Sequence, residues 1–155
     1  MAKLKGPVRQ ENVISFAADI SEDGQVSTIT FSNLEVNVQG KNSAVVATQV
    51  ATLTLPIIEH ATDLHVWLTI QGYAFTQPGT RALLVAHLGD TTVLAPFAPS
   101  SDESYQQVLE ATLPAGADAQ TALFLLAERN DEQQGVYLNI LSLDYSLGEL
   151  KSGGA

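Results

Sequence analysis

Apolar residues in this chain recur at every second position, not every third or fourth. The clearest case is His65–Phe75, HVWLTIQGYAF. Val66, Leu68, Ile70 and Ala74 form one alternate set; His65, Trp67, Thr69, Gln71, Tyr73 and Phe75 form the other. A strand sends alternate side chains to opposite faces, so the first set reads as core. The same period, or a short apolar run bounded by turn residues, predicts strands over 13–18, 26–31, 34–38, 44–55, 81–88, 91–95, 105–113, 122–128 and 136–147. Asp23-Gly24 and Gly89-Asp90 are hairpin signals, Gln77-Pro78-Gly79 is a tight turn, and Pro56 ends a run. Residues 105–113 are ambiguous by period, but Pro114-Ala115-Gly116-Ala117-Asp118 stops them and favours a strand; no segment is convincingly helical. The pattern predicts an all-β, antiparallel two-sheet β-sandwich, jelly-roll-like, with about ten strands. It occupies 11–150 as a single domain, with a flexible arm over 1–10 and a flexible tail over 151–155.

Composition narrows the function classes. Hydrophobic residues make up 45% of the 155, which suits a folded, soluble domain. No cysteine is present, which removes disulfides, thiol catalysis and cysteine-held metals. The net charge is −10, and three of the seven basic residues, Lys3, Lys5 and Arg9, fall in the first nine positions. A phosphate-tracking surface needs clustered Lys and Arg, so neither nucleic acid nor an anionic membrane is expected as a partner. No apolar run follows the basic N-terminus, so it does not read as a secretory signal. Localisation stays open between the cytoplasm and a trimmed secreted domain.

The second half carries a family pattern. In order it has a strand ending QGYAF, a Pro-Gly turn, RALLVAHL and TTVLA. SYQQVLEATLPAGADAQTALFLLAE, a polar loop and VYLNILSLDYSL follow. This resembles the closing half of carbohydrate-binding modules with a galactose-binding-like jelly roll, whose last strand is led by an aromatic residue and carries acidic ones. The resemblance implies a sandwich fold and glycan binding. Asn139 and Ile140 stand where that family often has Asp, which counts against its structural calcium.

The candidate site is the polar-aromatic set. If Gln77-Pro78-Gly79 closes an in-sheet hairpin, odd positions pair with odd. Phe75 then meets Arg81, in a cation–π contact, and Tyr73 meets Leu83. Gln71 meets Val85 and Thr69 meets His87. A sugar-binding face needs flat aromatic surface and hydroxyl-bonding groups. Trp67 and Tyr73 supply the first; Gln71, Thr69, His65 and His87 supply the second. A lone Trp in a sandwich is more often a core, edge or subunit-contact residue, so a homo-oligomer interface is the competing reading. His65 and His87 would need a third ligand, Asp63 or His60, to hold a metal, and no metal is expected. The acidic loops at 19–24 and 128–132 offer oxygens for calcium but lack the twelve-residue calcium-loop pattern. No Gly-x-Ser-x-Gly elbow or phosphate-cradling glycine loop is present, so a non-enzymatic module without a cofactor is expected.

Overall fold

The computed structural model describes residues 1–9, 15–41 and 45–149, the side chains of Val8, Arg9 and Glu149 apart. Its strands are β1 (Lys3–Leu4), β2 (Val8–Arg9), β3 (Phe16–Ile20), β4 (Val26–Phe31), β5 (Glu35–Val38), β6 (Val46–Leu55) and β7 (Ile57–Ile58). They continue with β8 (Leu64–Thr76), β9 (Thr80–Leu88), β10 (Thr91–Pro96), β11 (Asp102–Leu113), β12 (Ala119–Arg129), β13 (Val136–Asn139) and β14 (Ser142–Glu149). Every pairing is antiparallel.

Two sheets result. The back sheet runs β10-β9-β12-β6-β2. In the front sheet β11 lines one edge of β8, while β13 and β14 line the other end to end; β5 and β4 follow, then β3. Each sheet thus has five strand positions, ten in all. The chain crosses between the main sheets at β2–β3, β5–β6, β6–β8, β8–β9, β10–β11, β11–β12 and β12–β13. That repeated crossing is the jelly-roll wrap.

Alternation fixes which side faces in. Val66, Leu68, Ile70 and Ala74 of β8 are fully buried, as are Ala82, Leu84, Ala86 and Leu88 of β9. They meet Leu123, Leu125 and Ala127 of β12 and Leu143 of β14 in one core. Each such Leu contributes about 1.5–3 kcal/mol by leaving water. Tyr145 of β14 is also fully buried, and its hydroxyl lies 2.7 Å from Thr121 Oγ1 of β12, joining the two layers.

The last strand is one line broken by a bulge. Leu138 pairs with Ala74 and Ser142 with Gln71, so three residues lie opposite two. Asn139 repairs the ladder there: its Oδ1 accepts from the Tyr73 backbone N–H at 2.7 Å. Gly72 sits under the bulge because a Cβ would strike the Asn139 carbonyl and the Tyr105 ring.

Two expectations are corrected. The N-terminal arm is not loose over residues 1–9. Lys3 and Leu4 pair with Ile58 and Ile57, Val8 and Arg9 pair with Thr54 and Leu53, and Leu4 is 2% exposed. Apolar Leu4 finds a core site that outweighs the ordering cost of a short segment. The Gln77-Pro78-Gly79 turn is no in-sheet hairpin either. It carries the chain from β8 in the front sheet to β9 in the back one. Both edges of β8 are taken, by β11 and by β13 with β14. The turn is pinned from outside: Gln134 Nε2 donates to the Pro78 carbonyl at 2.5 Å, and the Gly135 N–H donates to Gln77 Oε1 at 2.6 Å. The Asp23-Gly24 and Gly89-Asp90 hairpins form as expected, with Gly24 at φ 71° and Gly89 at φ 57°. The tail at 151–155 lies outside the described residues.

Candidate binding face

The polar set of β8 points away from the core, onto the outer face of the front sheet. His65, Trp67, Thr69, Tyr73 and Phe75 are half-buried there and Gln71 is exposed. Trp67 is therefore not a core residue. It lies over β14, where Gly148 leaves room that any Cβ would take from the six-membered ring. The His65 ring stacks on it, with centroids 4.4 Å apart and planes 26° from parallel. Glu110 of β11, the cross-strand partner of Trp67, receives the indole N–H on Oε1 at 3.0 Å. Its Oε2 stands 3.4 Å from His65 Nε2, an ion-pair distance without hydrogen-bond alignment. One carboxylate thus fixes the indole in plane and reaches the imidazole behind it.

Neighbouring strands widen the face. Gln106 lies beside Gln71, Val108 beside Thr69, and Ser104 beside Tyr73. On the other side Asp144 lies beside Thr69, accepting from Thr28 Oγ1 at 2.6 Å, and Ser142 lies beside Gln71. Tyr137 lies beside Phe75, and its hydroxyl donates to Glu35 Oε2 at 2.6 Å and accepts from Asn139 Nδ2 at 3.0 Å. Burial, and the nearby Glu35 charge, push the Tyr137 phenol above its usual range. Sequence reasoning on β8 alone missed Glu110, Gln106, Asp144 and Tyr137. Their signal was the same alternation: each is the polar or aromatic odd member in its own strand, or its even one in β11 and β14, opposite Leu109, Leu138 or Leu143.

The charge on this sheet has one sign. Its strands carry Asp19, Glu35, Asp102, Glu103, Glu110, Asp144 and Glu149, and no Lys or Arg.

His87 is not on this face. With Leu83 and Val85 it stands on the outer face of the back sheet, because β9 pairs with β10 and β12 and never with β8. There Thr92 Oγ1 is 2.7 Å from His87 Nδ1, and His87 lines an open cleft of about 360 Å³ with Thr52, Thr54 and Gln120. The expected Phe75–Arg81 contact fails for the same reason; Arg81 instead meets Glu128 of β12 at 3.4 Å. The His65–His87 pair is likewise split between sheets. His60 is buried, with Nδ1 2.9 Å from the Ala117 carbonyl oxygen. Among the described residues no three His, Asp or Glu side chains come together as a metal group. In the acidic loops the carboxylates brace turns. Asp23 Oδ1 accepts from Ser21 Oγ at 2.7 Å and from the Gln25 N–H at 3.0 Å, which lowers its pKa; Asp131 Oδ1 accepts from the Gln133 N–H at 2.8 Å.

No protein-family model matches the chain, and no curated protein matches it. Solved structures do. One is the enzymatically active domain of tailspike protein 4 of bacteriophage CBA120, at 12% identity and a TM-score of 0.37, over 96% of this chain and 19% of that one. Another is a structure of infectious bursal disease virus, Gx strain, at 14% identity and a TM-score of 0.44, over 84% and 32%. A family 16 carbohydrate-binding module-2 follows at 12% identity and a TM-score of 0.28, over 76% and 84%. The chain spans about a fifth of the tailspike chain and about a third of the viral one. None of the three lends this chain a ligand or an activity.

Proposed function

We propose that this domain is a non-enzymatic binding module that takes a neutral glycan across the outer face of the front sheet. The observation that carries the reading is the setting of Trp67. A large flat ring lies on the outer side of a sheet, held by Glu110 and backed by His65. A ring fixed in this way offers C–H stacking to a pyranose at little entropic cost. Gln71 and Gln106 are exposed further along the same face, beyond Thr69 and Val108, and amides both donate to and accept from sugar hydroxyls. Tyr73, Thr69 and His65 complete the set. The acidic strands repel carboxylated or sulfated polysaccharides, so the expected ligand is uncharged. No cofactor is needed for such binding. The same charge argues against the assembly reading of this face, since a second copy would bring carboxylates onto carboxylates.

Trp67 is the only Trp, so its fluorescence reports the site. Iodide and acrylamide quenching would be measured against a panel of neutral and anionic soluble polysaccharides. A neutral member should protect the indole, and Trp67→Ala, which has no indole to report, should no longer be retarded by that polysaccharide in affinity electrophoresis. Quenching that no neutral polysaccharide alters would sink the proposal.

A further inference from the structure

The outer face of the back sheet differs from that of the front. Cross-strand neighbours Leu94, Val85, Phe124 and Val50 form one apolar row across four strands, and Leu83 and Leu126 lie side by side in the next. Leu94 is 66% exposed and Val50 39%. Four strands by about ten residues span about 650 Å² in projection. Side-chain relief brings that near the ~800 Å² per partner of a standard interface.

Charge decides what can cover this face. The chain carries −10, yet the outward side chains of β6, β9, β10 and β12 include one carboxylate, Glu128, and one cation, Arg81. Glu128 is already beside Arg81. Two copies of so acidic a chain repel least when they approach through this sheet. A two-fold arrangement sets the patch on itself, apolar row on apolar row, as one sheet packs on another. We propose that the outer face of the back sheet is the interface with a second copy of this chain. The pair stands back to back, so both front faces remain outward. The inference does not depend on what the front face binds.

Sedimentation velocity across the micromolar range tests it, on the wild type and on the double variant Val50→Glu/Leu94→Glu. Both positions are exposed in the single chain, so the variant should keep its far-ultraviolet spectrum and melting temperature. The wild type should sediment as a dimer, and the variant as a monomer with association weakened at least about a hundredfold by the buried carboxylates. A wild type that stays monomeric overturns the proposal. So does an assembly other than a dimer, or a dimer that survives in the folded variant.

Discussion

The two outer faces of this sandwich come from strands that look alike in sequence but do opposite things. β8 and β9 are consecutive, both alternate, and both bury their even residues. The outward residues of β8 are aromatic and hydrogen-bonding, and their sheet carries acidic residues alone. Those of β9 are Leu83 and Val85 among Phe124, Leu126 and Val50, on a sheet that is nearly free of acid. Read as one hairpin, they make a mixed surface that could equally hold a ligand or a subunit. Split between sheets, they separate into a polar face suited to a sugar and an apolar face suited to protein. The physical difference is where charge is tolerated, since an acidic face disfavours self-contact and an apolar one disfavours water.

The largest expected effect is therefore a double dissociation. Trp67→Ala should lower polysaccharide affinity by a hundredfold or more, as loss of a central anchor does, and leave the sedimentation coefficient unchanged. Its cost in stability should be about 1–2 kcal/mol, below the ~3–5 kcal/mol of a core aromatic, because the ring is outside the core. Phe124→Glu should do the reverse, releasing monomers whose Trp67 emission still responds to the glycan. One variant that removes both properties while remaining folded would break the distinction between the faces.

The alternation that made β8 readable also hid its partner. Even residues point inward whether β8 and β9 pair in one sheet or face each other across the core, so parity could not separate the two arrangements. The deciding contacts come from far along the chain: Gln134 and Gly135 on the turn, and β11 and β14 on the edges of β8. Hence the longer strands, the hairpins at Asp23-Gly24 and Gly89-Asp90, and the core side of β8 and β9 followed from local pattern. His65, Trp67, Thr69, Gln71 and Tyr73 share a face because they share a strand. His87 was misplaced, and Glu110 missed, because each depends on which strand lies alongside. The arm at 1–9 was misread because only Leu4 and Val8 in it are strongly apolar, and its anchoring rests on two very short pairings.

Next in size is Gly72→Ala, which sharpens the contrast by disturbing the front sheet alone. The added methyl meets the Asn139 carbonyl and the Tyr105 ring, so about 1–3 kcal/mol should be lost in urea denaturation. The bulge that orients Tyr73 and Tyr137 should shift with it, weakening glycan binding while dimerisation persists. An alkaline limb of similar origin tests the seam between the sheets. Burial raises the phenol pKa of Tyr145, and that of Tyr105 too. The neutral forms are then held in the folded state beyond the pH at which the unfolded chain ionises. Stability should be complete below about pH 10 and fall above it by about 1.4 kcal/mol per pH unit for each tyrosine. Tyr145→Phe should remove about a third to a half of that slope, the rest belonging to Tyr105 and the less buried Tyr137. An unchanged slope would mean that Tyr145 ionises as freely in the folded chain as in the unfolded one.

The smallest effect discriminates most finely, because it asks whether Glu110 works by charge or by geometry. Its carboxylate is 59% exposed, so the ion pair with His65 contributes little, and either substitution should change stability by no more than about 0.5 kcal/mol. Glu110→Gln keeps an oxygen for the Trp67 N–H; Glu110→Ala frees the indole altogether. If the residue serves to hold the ring flat for an uncharged sugar, Ala should cost several-fold in affinity and Gln almost nothing. Equal losses from both would show that the negative charge itself is recognised, and the ligand of the front face would then be a cation, not a neutral glycan. In neither case should the sedimentation coefficient move, since Glu110 lies on the opposite side of the sandwich from Phe124.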